Sequence, residues 1–185
     1  MPLRLTCLAA ALAVVIVAAC GDDAAGPASC TGAGCDCSGA ACTCVAGADC
    51  KAECGAADCS FTCSMDAKCN GQGTASVNLV CLDSSECKTN SEGGTITCED
   101  STTCDVKTDA AAMVTCTNSS NCKLNLGAGS TVACDESADC DVKCQGDCEV
   151  TCGGSASCTL TCGPVDAAGD PGTTCPDGRL VCGAC

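Results

Sequence analysis

Twenty-eight of the 185 residues are cysteine, and neither histidine nor tyrosine accompanies them. Thiols do three kinds of chemistry: they ligate soft metals, attack as thiolates, or pair as disulfides. Spacing separates these. One column of cysteines runs Cys44, Cys63, Cys81, Cys98, Cys116, Cys134, Cys152. A second follows six residues behind: Cys50, Cys69, Cys87, Cys104, Cys122, Cys140, Cys158. The step between units is 17 to 19 residues. The simplest pairing joins the columns across each corner: Cys44–Cys50, Cys63–Cys69, Cys81–Cys87, Cys98–Cys104, Cys116–Cys122, Cys134–Cys140 and Cys152–Cys158. Two units carry a further pair, Cys54–Cys59 and Cys144–Cys148. In other units those slots hold Gly73 and Val77, Ser91 and Gly94, Thr108 and Ala112, or Leu126 and Ser130. Both partners vanish together, as pairing requires. Pairing between stacked units remains open, and spacing does not specify the partners of Cys30, Cys35, Cys37, Cys42, Cys162, Cys175, Cys182 and Cys185.

The elements that must position these cysteines follow from the same repeat. Periods near twenty residues mark solenoids. Within a unit the apolar residues alternate with period two, the signature of a strand. Cys140, Val142 and Cys144 face one way; Asp141 and Lys143 face the other. Cys148, Val150 and Cys152 repeat the pattern after the turn Gln145-Gly146-Asp147. Phe61, Leu79, Ile96, Val114 and Val132 take the equivalent inward slot elsewhere. A single unit cannot bury its inner face, whereas stacked units do so at about 4.8 Å per step. The expected fold is all-β: a disulfide-rich parallel β-solenoid of about 18 residues per coil. Seven to eight coils would make a rod roughly 35–40 Å long. A string of small independent knots is the alternative architecture. Phe61 is the only aromatic residue, so the core is thin and disulfides must supplement it.

Four segments are expected: 1–19, 20–34, 35–162 and 163–185. In the first, Arg4 precedes an unbroken apolar run from Leu8 to Ala19, too short to span a bilayer and laid out as a signal peptide. Its end, Val17-Ala18-Ala19-Cys20, resembles the bacterial lipobox. That resemblance implies diacylation of Cys20, cleavage before it, and a membrane anchor. An ordinary secretory signal cleaved after Ala19 is the other reading. Gly21 to Gly34 is a small-residue tether, 35–162 the repeats, and 163–185 a C-terminal cap opening at Gly163-Pro164. Losing Cys7 with the signal and Cys20 to lipid leaves 26 of 28 cysteines, an even number suited to full oxidation in an exported domain. The formal net charge is −15, which disfavours nucleic acid as a partner.

Other chemistries are weaker. Cys35-Asp36-Cys37, Cys42-Thr43-Cys44 and Cys182-Gly183-Ala184-Cys185 suit thiolate metal storage, and the composition resembles metallothioneins, but C-x5-C is not a usual cluster spacing. Acidic corners at Asp83 and Glu86, Glu99 and Asp100, and Asp135, Glu136 and Asp139 suggest weak Ca2+ binding, although Ca2+ needs six to eight converging oxygens. The residue before the first cysteine column is Thr43, Thr62, Val80, Thr97, Thr115, Ala133 or Thr151, with Ser60, Thr95 and Thr131 two positions earlier in some coils. This partial ladder resembles that of disulfide-rich insect antifreeze proteins and implies ice binding. Without histidine, tyrosine or a phosphate loop, no catalytic residue and no cofactor are expected.

The lipobox, acidic composition and C-x5-C repeats together resemble the cysteine-rich lipoproteins of myxobacteria and similar bacteria. Some members carry enzyme names, tryptophan synthase alpha chain among them, but that barrel needs about 250 residues. The resemblance implies an outer-membrane or cell-surface lipoprotein, or a periplasm-facing one. Its expected role is structural, or that of a binding surface for an envelope or extracellular partner.

Overall fold

The computed structural model describes residues 28–164 and 167–185. The expected signal peptide, Cys20 and the first part of the tether lie outside the described residues.

No helix occurs among the described residues, and the chain winds as a parallel β-solenoid. Two short strands come first, β1 (Ser29–Thr31) and β2 (Cys35–Ser38). Seven coils of two strands follow. They are β3 (Ala41–Cys44) with β4 (Asp49–Cys54), β5 (Cys59–Cys63) with β6 (Lys68–Gly73), and β7 (Val77–Cys81) with β8 (Glu86–Ser91). Next come β9 (Gly94–Cys98) with β10 (Thr103–Thr108), and β11 (Ala112–Cys116) with β12 (Asn121–Leu126). The last two are β13 (Thr131–Cys134) with β14 (Asp139–Cys144), and β15 (Cys148–Cys152) with β16 (Ser157–Cys162). The chain closes with β17 (Asp170–Pro171), β18 (Thr173–Thr174) and β19 (Leu180–Cys182). Even-numbered strands β4 to β16 stack in one sheet, A, and odd-numbered strands β3 to β15 in the other, B. Register partners are equivalent positions of successive coils, so Cys87 lies opposite Cys69 and Cys104, and Ile96 lies opposite Leu79 and Val114.

Inward positions are buried and form one core between the sheets. Phe61 is fully buried, and the inward slot of the facing strand is Gly71, where a Cβ would lie 3.5 Å from the ring. Elsewhere those two slots hold Leu79 with Thr89, Ile96 with Val106, and Val114 with Leu124. The largest inward side chain, Phe61, is thus matched by the smallest, Gly71, while the other coils pair residues of intermediate size, which keeps the sheets evenly spaced.

The corner after each sheet-B strand turns sharply. Met65 and Asp66, Asp83 and Ser84, Asp100 and Ser101, and Asn118 and Ser119 are consecutive residues with positive φ. Such pairs reverse the chain in two residues, and Asp and Asn tolerate this region best after glycine. The turn peptides also hydrogen-bond coil to coil: Ser84 N–H donates to the Asp100 carbonyl and Ser101 N–H to that of Asn118, each at 2.9 Å.

Both ends are closed by antiparallel strands. Strand β1 covers β4 and β2 covers β3; at the other end β17 covers β16 and β19 covers β15. These strands occupy edges that would otherwise offer unpaired backbone to another chain. Ser29–Thr31, placed in the tether by composition, is therefore part of the folded body.

Candidate binding surface

Twelve disulfides form among the described residues. All seven corner pairs expected from the two columns are present, as are Cys54–Cys59 and Cys144–Cys148. The ends resolve as Cys37–Cys42, Cys162–Cys182 and Cys175–Cys185, with Cys30 and Cys35 as thiols. So many cross-links place the folded chain in an oxidising, non-cytoplasmic compartment. A bonded cysteine offers no thiolate to a metal, so the motifs that suggested storage are mostly consumed.

Of the four second corners that lack a cysteine pair, three are closed by hydroxyls. Ser91 Oγ donates to the Gly93 carbonyl and Thr108 Oγ1 to that of Ala110, both at 3.0 Å. Ser130 Oγ donates to the Gly127 carbonyl at 2.7 Å and accepts from Ala112 N–H at 3.0 Å. Sequence reasoning also passed over a column behind the first corner: Ala48, Ala67, Ser85, Thr102, Ser120, Ala138 and Ala156. Its small side chains fit beside the disulfides, and the hydroxyls of Ser85, Thr102 and Ser120 lie 3.8–3.9 Å from the sulfur two residues on. The signal was available as a third periodic position.

The acidic corner residues follow the turns along the rod. Asp83, Asp100 and Glu136 occupy positive-φ positions, which accounts for polar residues there without any ligand. Among the described residues, the only groups of three potential ligands whose donor atoms lie within 4.8 Å of one another consist of cysteines. The acidic groups singled out for Ca2+ do not converge in this way.

The two outward faces differ in kind. Every lysine of the chain (Lys51, Lys68, Lys88, Lys107, Lys123 and Lys143) lies on sheet A. There opposite charges alternate along the rod: Lys68 pairs with Glu86 at 3.3 Å and Lys88 with Asp105 at 3.4 Å, each pair being register partners in successive coils. Sheet B presents two rows instead. Thr43, Thr62, Val80, Thr97, Thr115, Ala133 and Thr151 form one; Ala41, Ser60, Asn78, Thr95, Met113, Thr131 and Glu149 form the other. Glu149 is the single charge in those rows, and Arg179 of the cap neutralises it at 2.6 Å. Met113 stands 59% exposed in the middle. Asp36 of β2 lies opposite Thr43 at the end of the first row, so the Thr column is one half of a lysine-free, hydroxyl- and methyl-bearing face whose charges sit at its two ends, with an axial step of about 4.8 Å.

Comparison with protein-family models, curated proteins and solved structures finds no match for this chain.

Proposed function

We propose that the chain is an exported lipoprotein of the bacterial envelope, held by lipid on Cys20, whose rod displays the sheet-B face as a non-catalytic binding surface. The division of charge carries this reading: a protein that needed only solubility would gain by spreading its lysines over both faces, whereas here one face is kept free of them. Extended solenoid faces commonly serve binding, and a neutral row of Thr, Val, Ala and Met desolvates at lower cost than an ion-pair ladder. The residues at the centre of such a surface are Thr97, Met113 and Thr115, and the partner is an uncharged or weakly polar component of the envelope or its exterior.

Co-sedimentation of the full chain with isolated envelope fragments tests the assignment. Thr97→Lys/Thr115→Lys should abolish binding, and Lys88→Gln/Lys123→Gln on the opposite face should preserve it. Equal loss from both variants, or binding by the first, would refute the sheet-B assignment. Radioactive palmitate should label the wild type and not Cys20→Ala; label persisting in the variant would end the anchor reading.

A second reading draws on the same rows. Thr97 and Thr115 are register partners, and Thr95 and Thr131 flank Met113 in the neighbouring row, so hydroxyls and methyls recur along the face as a lattice of water would require. Thermal hysteresis with faceted ice crystals would support it, and rounded crystals would exclude it.

A further inference from the structure

The two cysteines left as thiols among the described residues occupy related places at one end of the rod. Cys30 is on β1, which runs antiparallel to β4 in sheet A, opposite Ala52. Cys35 opens β2, which runs antiparallel to β3 in sheet B, opposite Cys44. Their sulfurs lie within 4.8 Å of each other and of Cys37, and both residues are half-buried. Cys37 already holds Cys42, so Cys30 and Cys35 are left to each other.

The far end of the rod carries the matching arrangement with its bond made. Cys162 ends β16 in sheet A, and Cys182 ends β19 in sheet B. The two are joined, tying the sheets together beneath the C-terminal cap.

We propose that Cys30 and Cys35 form a thirteenth disulfide, a clasp that ties sheet A to sheet B at the tether end as Cys162–Cys182 does at the other. The oxidant is a disulfide of a protein or of glutathione. The Cys30 thiolate attacks one of its sulfurs and releases the other as a thiol. Cys35 then gives up its proton to solvent and attacks the Cys30 sulfur of the mixed disulfide. The Cys30–Cys35 bond forms, the second oxidant sulfur leaves as thiolate and takes a proton, and the electron pair lost by the chain resides in the reduced oxidant. Burial, the hydrogen bond with Cys30, and the nearby Cys30 and Asp36 push the Cys35 thiol up to about 12. This environment disfavours a lasting thiolate, and with it a metal held by these two sulfurs. Once Cys30 is in the mixed disulfide its hydrogen bond and charge no longer oppose ionisation of Cys35, and the closed bond carries no charge for burial to penalise. Strands β1 and β2 are only three and four residues long. A covalent tie would hold such short edge elements against fraying.

The full chain, isolated without reductant, is alkylated in denaturant and cleaved on the N-terminal side of Asp36 and Asp49. The peptide ending at Cys35 should appear unalkylated, unlinked to any other, and lighter by the hydrogens lost in closing the ring. Alkyl groups at both Cys30 and Cys35, or a cross-link from either to the peptide beginning at Asp36, would overturn the proposal. Hydrogen exchange then tests the clasp itself. In Cys30→Ser/Cys35→Ser, amides of Ala28 to Ser38 should exchange at least tenfold faster while those of β9 to β12 keep the wild-type rate. Unchanged exchange at the tether end would overturn the clasping role.

Discussion

Cys104 and Cys122 are register partners in successive coils, and their sulfurs lie within 4.8 Å of each other and of Cys98. These two neighbouring corner disulfides therefore lie within reach of each other inside the rod. The same contact recurs among Cys63, Cys69 and Cys87, and among Cys116, Cys122 and Cys140. A sulfur freed at any of these three contacts has a neighbouring bond to attack.

Single and double removal of one corner cross-link should therefore differ in kind. Cys98→Ala/Cys104→Ala removes a short loop and should cost about 2–2.5 kcal/mol of stability, with the remaining disulfides unchanged. Cys104→Ala alone leaves a Cys98 thiol beside Cys122 and should yield a mixture of pairings. Peptide mapping of both variants, with denaturant melts of the double, checks this; one clean pattern from the single variant would count against exchange at this contact.

Thr89 is buried and its hydroxyl lacks a hydrogen-bond partner. Val106 fills the same slot in the next coil. Thr89→Val should raise stability by about 1 kcal/mol, because it removes an unsatisfied hydroxyl at nearly constant volume. Chemical denaturation with an unchanged slope would read out the gain.

Phe61 and Gly71 share one volume between the sheets. Phe61→Ala should cost about 3–5 kcal/mol, since the only aromatic ring leaves a cavity. Phe61→Leu should cost less, and Gly71→Ala should stabilise that variant more than it stabilises the wild type. A double-mutant cycle measures the difference, and strict additivity would mean that the two slots do not share their space.

Ser130 stands where Cys148 stands in the following coil, and it accepts from Ala112 N–H while donating to the Gly127 carbonyl. Ser130→Ala leaves a buried N–H unpaired and should cost about 1–3 kcal/mol. Hydrogen exchange should show the loss first at Ala112, before the neighbouring coils respond.

Asp177 is held below its ordinary value of 3.8 by the Arg179 side chain, which donates to its carboxylate at 2.7 Å, and by the Arg179 backbone N–H. Arg179 also reaches Glu149 on sheet B and so fastens the cap. A lowered folded-state pKa means that this contribution is complete above the ordinary carboxylate range and is lost as pH falls through the lowered value. Amides of Leu180 to Cys182 should lose protection in acid before those of β9 to β12. Asp177→Asn should lessen that pH dependence.

Much of the molecule was legible in the residues alone. The C-x5-C interval left one coil's corner as the simplest closure, and the joint disappearance of Cys54 and Cys59 equivalents in other coils marked them as a pair. Alternation around Val142, Val150 and Leu160 gave the inward register because a strand can face only two ways. The end cysteines resisted the same reasoning. Cys162 and Cys182 are 20 residues apart with no repeat to relate them, and their approach depends on how the cap folds back across the open edge. The small column at Ala67, Ser85 and Thr102 was periodic too, yet its meaning required knowing that a disulfide lies behind it.

Sequence by itself determined the repeat, the strand alternation and the oxidising compartment, and made the corner cross-links the simplest pairing, because each depends on spacing or composition along a single coil. Tertiary structure alone decided which chains of side chains meet across coils. It gathered every lysine onto sheet A, left sheet B a face without them, brought sulfurs of successive coils into contact, and set Cys30 beside Cys35. Those relationships arise only when successive coils fall into register about 4.8 Å apart, a distance at which residues some eighteen positions apart become nearest neighbours.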